Sequence, residues 1–476
     1  MPIEDSSQYA GRLEQLMRRA ASVTAPEERA AAPEPAYLPP IMAPMPTPSP
    51  QRSVPTGPRG EALEFLTPPR TVADTGLTAT MVEDHLIRTI YFANELAAAD
   101  LATEVGLLYQ VLDEPLKGLT KEQYLEIKGQ RGLGEAGYIY TLTSKGKARA
   151  LECLQKTWYR GILPVPFERY VEAVRAQTVR NITVTADNIR SAFSDLIIRD
   201  NMLDQLGPAV NSGSSLFLFG APGNGKTAIA ERLNRLMGDE IYIPRAVEVD
   251  GYVIKLFDAM SHHAVEETPG RLRDLRWVRI KRPVVTVGGE LTLAGLDLLW
   301  NEVGRFYEAP LQMKANGGIF FIDDFGRQVI RPVDLLNRWI VPLEKRVDYL
   351  TLMTGKKIEM PFDELLVLST NLNPEDLADE AFLRRIKFKV HVEDPDLPQF
   401  AQIMQLVCRA RGVTYDEGAL RYMLETWWRP TRRPLRMCQP RDIVDQLTAI
   451  ARYQMRTPAL HSDLIDLACR SYFVSQ

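Results

Sequence analysis

The stretch Phe217-Leu-Phe-Gly-Ala-Pro-Gly-Asn-Gly-Lys-Thr227 carries the fold of this 476-residue chain. It matches G-x-x-x-x-G-K-[ST]. An apolar strand, Ser215–Phe219, precedes it, and the helix expected over Ala228–Met237 follows. That context is what a phosphate-binding loop (P-loop) requires. Glycines let backbone N–H groups wrap phosphates without Cβ clashes, and the helix N-terminus faces their negative charge. The candidate cradle is Gly220, Ala221, Pro222, Gly223, Asn224, Gly225, Lys226, Thr227 and Ala228. Lys226 is placed to reach the β- and γ-phosphates of ATP, and the Thr227 hydroxyl to ligate Mg²⁺.

A divalent ion needs a second protein ligand. Moving outward, Gly318-Ile-Phe-Phe-Ile-Asp-Asp324 is a run buried on both faces that ends in two acids. Asp323 is the candidate metal ligand, acting through water, and Asp324 is placed to orient or deprotonate an attacking water. A third apolar run, Leu365–Ser369, ends at Thr370-Asn371. Its strand is expected between the other two, with Asn371 within reach of the γ-phosphate.

With these segments in order, the chain resembles the AAA+ ATPases over about residues 166–476. The resemblance gives Asn371 the sensor-1 role and marks Glu380-Ala-Phe-Leu-Arg-Arg-Ile386 as the arginine-finger segment. There Arg384 or Arg385 would reach the γ-phosphate held by a neighbouring subunit. Cys438-Gln-Pro-Arg-Asp442 resembles sensor 2, with Arg441 pointing at nucleotide, and Leu203–Gly207 corresponds to the adenine-side segment. Residues 303–323 are similar to the bacterial enhancer-binding activators. Residues 342–371 are similar to MoxR-type ATPases, with a hairpin expected at Asp348–Glu359. The resemblance implies Mg-ATP as cofactor and a homo-oligomeric ring, a hexamer. The loop by which the activators grip sigma factor is not recognisable, so that function is not carried over. The family usually has Glu where this chain has Asp324, one methylene shorter, which implies slow turnover.

Toward the N-terminus the character changes. Residues 6–22 have helical apolar spacing through Leu13, Leu16 and Met17. Thirteen of the 33 prolines fall between Pro26 and Arg70, so this segment is expected as an extended, disordered tether. Helices are expected at Met81–Asn94, Ala98–Tyr109 and about Leu119–Leu125. A hairpin with a glycine-rich tip, Gly129–Gly134, and the run Tyr140-Thr-Leu-Thr-Ser-Lys-Gly146 follow, a winged-helix pattern. The expected domains are residues 1–25 (short helix), 26–72 (linker), 73–162 (winged helix), 163–394 (α/β ATPase) and 395–476 (helical lid).

A winged helix commonly binds DNA, yet residues 78–160 carry 10 Lys+Arg against 11 Asp+Glu. DNA affinity comes largely from neutralised phosphates, so docking of a protein client is favoured over DNA. Lys128, Arg131, Lys145, Lys147 and Arg149 remain as a candidate patch at the wing. A second basic stretch, with Arg271, Arg273, Arg276, Arg279, Lys281 and Arg282, is either a substrate grip or a structural surface. Phe306 and Tyr307 read as core rather than pore aromatics, and His262-His263 as structural.

Composition bounds the rest. Net charge is −4, which excludes a global basic field for nucleic acid or membrane. Four dispersed cysteines argue against a disulfide scaffold or zinc ribbon. No secretory signal or membrane-length apolar run is present, so a cytoplasmic location without membrane insertion is expected. Three functions remain: a motor that remodels a protein client, a DNA-associated ATPase, and a slow nucleotide-gated adaptor.

Overall fold

The computed structural model describes residues 63–132, 134–238, 240–266, 273–377 and 380–473. The helix expected at residues 6–22 and most of the Pro-rich tether lie outside these. Where the tether becomes described it is packed, which corrects the expectation of disorder up to residue 72. Phe65, in the short turn Glu64–Leu66, is buried with its ring centroid 4.8 Å from that of Trp277. The Asp274 amide donates to the Leu66 carbonyl at 2.9 Å. One buried aromatic removes enough apolar area from water to order its neighbours.

Three helices, Ala79–Ala93, Ala98–Val105 and Tyr109–Lys121, open the N-terminal module. A three-stranded antiparallel sheet follows, with Tyr138–Leu142 between Glu95–Ala97 and Leu125–Gln130, and then a fourth helix, Ser144–Lys156. The second helix ends earlier than expected because Gly106 adopts φ 71° as its cap. The third begins ten residues earlier than the sequence suggests and contains Pro115, and Leu125 opens a strand instead. An internal proline ordinarily argues against a helix, which hid this one.

His85 is fully buried here. Its Nε2 lies 2.8 Å from the Gly161 carbonyl, and its Nδ1 accepts from Arg88 Nη2 at 3.2 Å. Burial, helped by the Arg88 charge, pushes its pKa down to about 3 from 6.5. The folded state therefore holds His85 neutral while the unfolded chain takes up a proton. Its contribution is intact above pH 6.5 and is lost as pH falls toward 3. We expect stability to fall more steeply over that window in wild type than in His85→Gln, measured by denaturant midpoints. Parallel curves would refute this.

The central sheet is entirely parallel. Its order is Val284–Val287, Ile319–Ile322, Leu365–Thr370, Ser215–Phe219 and Phe388–His391. Leu365–Thr370 thus lies between the P-loop strand and the Asp-Asp strand, as expected. All four residues of Ile319–Ile322 and all six of Leu365–Thr370 are buried, the pattern of strands covered on both faces. A hairpin, Val347–Thr351 with Lys357–Pro361, stands where one was expected.

Simple strand–helix alternation does not hold throughout. Among the described residues between 240 and 308 the regular elements are strands, apart from a short 3-10 turn at Leu293–Leu296. Glu240–Pro244 pairs antiparallel with Trp277–Lys281. A second five-stranded sheet joins Leu299–Asn301, Phe306–Glu308, Tyr252–Lys255, Ala246–Val249 and Val165–Pro166. The signal was present in the sequence. Asp250-Gly251, at φ 55° and 82°, forms a two-residue turn between strands rich in valine and isoleucine.

Within this region the basic stretch is mostly structural. Arg276 is fully buried, paired with Asp274 at 2.8 Å and donating to the Thr75 carbonyl at 3.0 Å. Arg279 pairs with Glu240, and Arg282 donates to the Gln177 carbonyl at 3.1 Å. Arg271 lies outside the described residues. Tyr307 is 2% exposed, and buried His262 contacts the Lys314 carbonyl at 2.9 Å, both core as expected.

Four helices close the chain: Leu397–Arg411, Glu417–Met423 (continued by a π turn), Gln439–Tyr453 and Ser462–Tyr472. They share a core around Phe400, Trp428, Leu447 and Leu464. The architecture is a parallel α/β sheet carrying a strand–loop–helix of P-loop type, with a C-terminal helical lid, preceded by an α+β module. Among the described residues no helix is long and apolar enough to cross a membrane.

Candidate functional site

The three apolar strands deliver their terminal residues to one edge of the sheet. Gly220, at φ 144°, lies where a Cβ would meet the Val392 carbonyl oxygen at 2.3 Å. Gly223, at φ 83°, faces Cys438, whose Sγ would be 2.5 Å from a Cβ there. Only glycine fits either position, so the loop is closed down on its neighbours by backbone alone. The helix Lys226–Leu233 starts immediately after, with Gly225 as its N-cap.

Lys226 and Thr227 each meet a residue from another strand. The Lys226 ammonium donates to Asn371 Oδ1 at 2.6 Å and to the Gly220 and Ala221 carbonyls at 2.9 and 3.0 Å. Asn371 Nδ2 in turn donates to Asp324 Oδ1 at 2.7 Å. Thr227 Oγ1 donates to Asp323 Oδ2 at 2.7 Å. Burial pushes the Lys226 pKa down, the carboxylates of Asp323 and Asp324 oppose this, and Arg436 adds to the lowering. A lysine 7% exposed and surrounded by carbonyls is thereby poised for an anionic ligand. A hydroxyl and a carboxylate oxygen side by side are hard donors, the set that suits Mg²⁺.

Asp324 stands in a left-handed turn at φ 49°, uncommon for a non-glycine residue. Two neighbours hold it there. Its amide donates to Asp323 Oδ1 at 3.0 Å. Gln328, which sequence reasoning missed, donates from Nε2 to the Asp323 and Asp324 carbonyls at 2.9 and 3.0 Å, and its Oε1 accepts from the Gly326 amide at 2.8 Å. Where ATP is the substrate, we expect Gln328→Ala to lower its turnover about 10-fold with KM unchanged, because a misplaced reacting group costs rate rather than binding. A rise in KM at constant kcat would contradict that.

The lid touches the loop directly. The Cys438 amide donates to the Gly223 carbonyl at 2.8 Å. Asn224 is fully buried and donates to Asp394 Oδ1 at 2.6 Å, while its own Oδ1 accepts from the Met437 amide at 3.3 Å. Arg436 ion-pairs with the same Asp394 carboxylate. Asp394 and Arg436 were not anticipated. Their only signal was proximity to the Cys438–Asp442 motif and the end of the last strand. Arg441 lies near the start of its helix, exposed and 3.0 Å from Asp442.

Between loop and lid lies a cavity of about 630 Å³, walled by Ile197, Ile198, Gly223, Ile403, Met437 and Arg441 among others. Its apolar lining includes Leu196, Ile198, Ile403 and Val407, and the segment Leu203–Gly207 is not part of the wall. Those residues lie in the helix Asp200–Ser212, with Leu203, Leu206 and Gly207 buried. Of the candidate finger pair, Arg385 is held by Glu344 at 2.7 Å, whereas Arg384 is exposed. Among the described residues no cluster of His, Cys, Asp and Glu could form a further metal centre.

Residues 396–471, the lid helices, match a family described as a domain of unknown function (DUF8689). No curated protein matches the chain. Among solved structures, NtrX from Brucella abortus is 15% identical at a TM-score of 0.34, over 67% of this chain and 59% of that one. The chain thus spans less than two thirds of the length of that protein. The Thermotoga maritima RuvB Holliday junction branch migration motor is 11% identical at a TM-score of 0.33, over 63% of this chain and 74% of that one.

Proposed function

We propose that this chain binds and hydrolyses Mg-ATP between subunits of a homo-oligomeric ring, a hexamer, and uses the cycle to remodel a protein client received by its N-terminal winged-helix module. One observation carries the reading: Lys226, Thr227, Asp323, Asp324 and Asn371, from three separate strands, converge in two linked hydrogen-bond sets at the sheet edge. Gly220–Ala228 cradle the triphosphate, and Thr227 and Asp323 hold Mg²⁺. The ion, when bound, neutralises charge on the transferring phosphoryl group. Lys226 exchanges its loop carbonyls for phosphate oxygens. Asp324, oriented by Asn371, accepts the proton of the attacking water. Arg441 and Arg384 serve as sensor 2 and finger. A soluble, cytoplasmic setting fits the expectation from sequence.

The contacts of Gly223 and Asn224 with Cys438 and Met437 of the lid support coupling of nucleotide state to lid position. Steady-state ATPase rate against protein concentration tests the proposal. We expect a rate per subunit that rises with concentration in wild type and disappears in Lys226→Ala. A negligible wild-type rate despite tight ATP binding would instead favour the nucleotide-gated adaptor, the reading that the short Asp324 side chain supports.

Ion pairing weakens the DNA alternative. Lys128 pairs with Glu95, Arg131 with Asp100 and Arg149 with Asp84. Lys145 lies over the Tyr124 ring and donates to the Glu122 carbonyl at 2.7 Å. Cations already facing carboxylates have little left for phosphates.

A further inference from the structure

Where the N-terminal module meets the β-rich region, a cavity of about 470 Å³ is walled by Trp158, Arg160, Arg245, Lys255, Phe257 and Phe306 among others. Its charge is one-sided, for no carboxylate lines it. The Arg160 guanidinium lies 5.0 Å from the Phe92 ring centroid, and that of Arg245 lies 5.2 Å from Phe257. Among the described residues neither arginine has a carboxylate partner. Elsewhere in the module Lys117, Lys128, Arg131, Arg149 and Lys156 each face an acid. Lys255 has Glu308 at 3.4 Å. Trp158 is 47% exposed, a large aromatic left partly in water.

We propose that this cavity binds an acidic peptide segment, with an apolar or aromatic side chain against Trp158 and Phe306 and neighbouring carboxylates on Arg160 and Arg245. Guanidiniums stacked on aromatic rings keep their edge N–H groups free and aligned for a carboxylate. Tryptophan and arginine together are the residues that dominate protein–protein contacts. A nucleic-acid strand fits less well. It needs a track of cations along its phosphates, and the flanking cations are already paired. The inference deepens the client-remodelling reading by naming the chemistry of the client segment, and it rests on that reading only for its purpose.

The test uses the full chain without nucleotide and a fluorescein-labelled peptide of alternating Asp and Phe. A matching Asn and Phe peptide and an oligo-dT complete the set, read by fluorescence polarisation. We expect salt-sensitive binding of the Asp peptide, about 10-fold weaker in Arg160→Ala and weaker again in Arg160→Ala/Arg245→Ala. The Asn peptide should bind wild type about 10-fold more weakly, a comparison that needs no variant to fold. Equal binding of the two peptides, or binding indifferent to Arg160, would overturn the proposal. Tighter binding of oligo-dT, lost in the same variants, would give the site to nucleic acid instead. Absence of ATP turnover in wild type would overturn the motor reading and leave the peptide result standing.

Discussion

Arg384→Ala is expected to lower ATP turnover by about 10³-fold or more while ATP affinity stays near wild type, because an arginine supplied across a subunit boundary acts on transition-state charge. Arg385→Ala should behave differently. Arg385 Nε already sits 2.7 Å from Glu344 within its own subunit. Its loss is expected to cost about 1 kcal/mol of stability, as partly exposed ion pairs do, and to leave turnover within about 10-fold. Arg384 is exposed on the same short segment and is therefore available to a neighbour. Mixing supplies the decisive measurement. Inactive Arg384→Ala subunits still hold an intact loop, and inactive Lys226→Ala subunits still hold an intact arginine. If the finger acts in trans, mixing the two recovers part of the rate. Recovery of nothing, together with full activity of Arg384→Ala alone, would remove Arg384 from the mechanism.

Arg276→Ala is the largest expected stability loss, about 3–5 kcal/mol, since it leaves the Asp274 carboxylate charged and buried without its partner. Both side chains are fully buried, and the guanidinium also reaches the Thr75 carbonyl of the N-terminal module and the Pro164 carbonyl just beyond it. The same variant distinguishes two readings of the basic stretch. A substrate grip would lose binding with stability unchanged. A structural brace loses stability, seen as a lowered denaturant midpoint, and an Arg276→Met/Asp274→Leu pair should restore much of it because hydrophobic replacements leave no stranded charge. An unchanged midpoint in Arg276→Ala would show that the brace contributes little.

Much of the fold was legible because its signals are local. The P-loop spacing, the continuous apolar runs at Ile319–Ile322 and Leu365–Thr370, and the acids or amide ending them follow from what a buried parallel strand and a phosphate cradle demand of neighbouring residues. The hairpin before the third strand was expected from the resemblance of residues 342–371 to MoxR-type ATPases, and the C-terminal region was expected to be helical. The helix Tyr109–Lys121 was hidden by Pro115, and the β-rich region lay between the strands that the sequence motifs marked.

The amino-acid sequence by itself singled out the candidate residues for phosphate and metal chemistry, since that choice depends on residue type and short spacing. Tertiary structure alone decided their partners. That Lys226 meets Asn371, that Gln328 clamps the turn at Asp324, that Asn224 reaches Asp394, and that Arg276 is a buried brace are contacts between residues distant in the chain. Charge and burial at such positions are set by what packs against them, and an arginine in a basic run looks the same on paper whether it faces water or a buried aspartate.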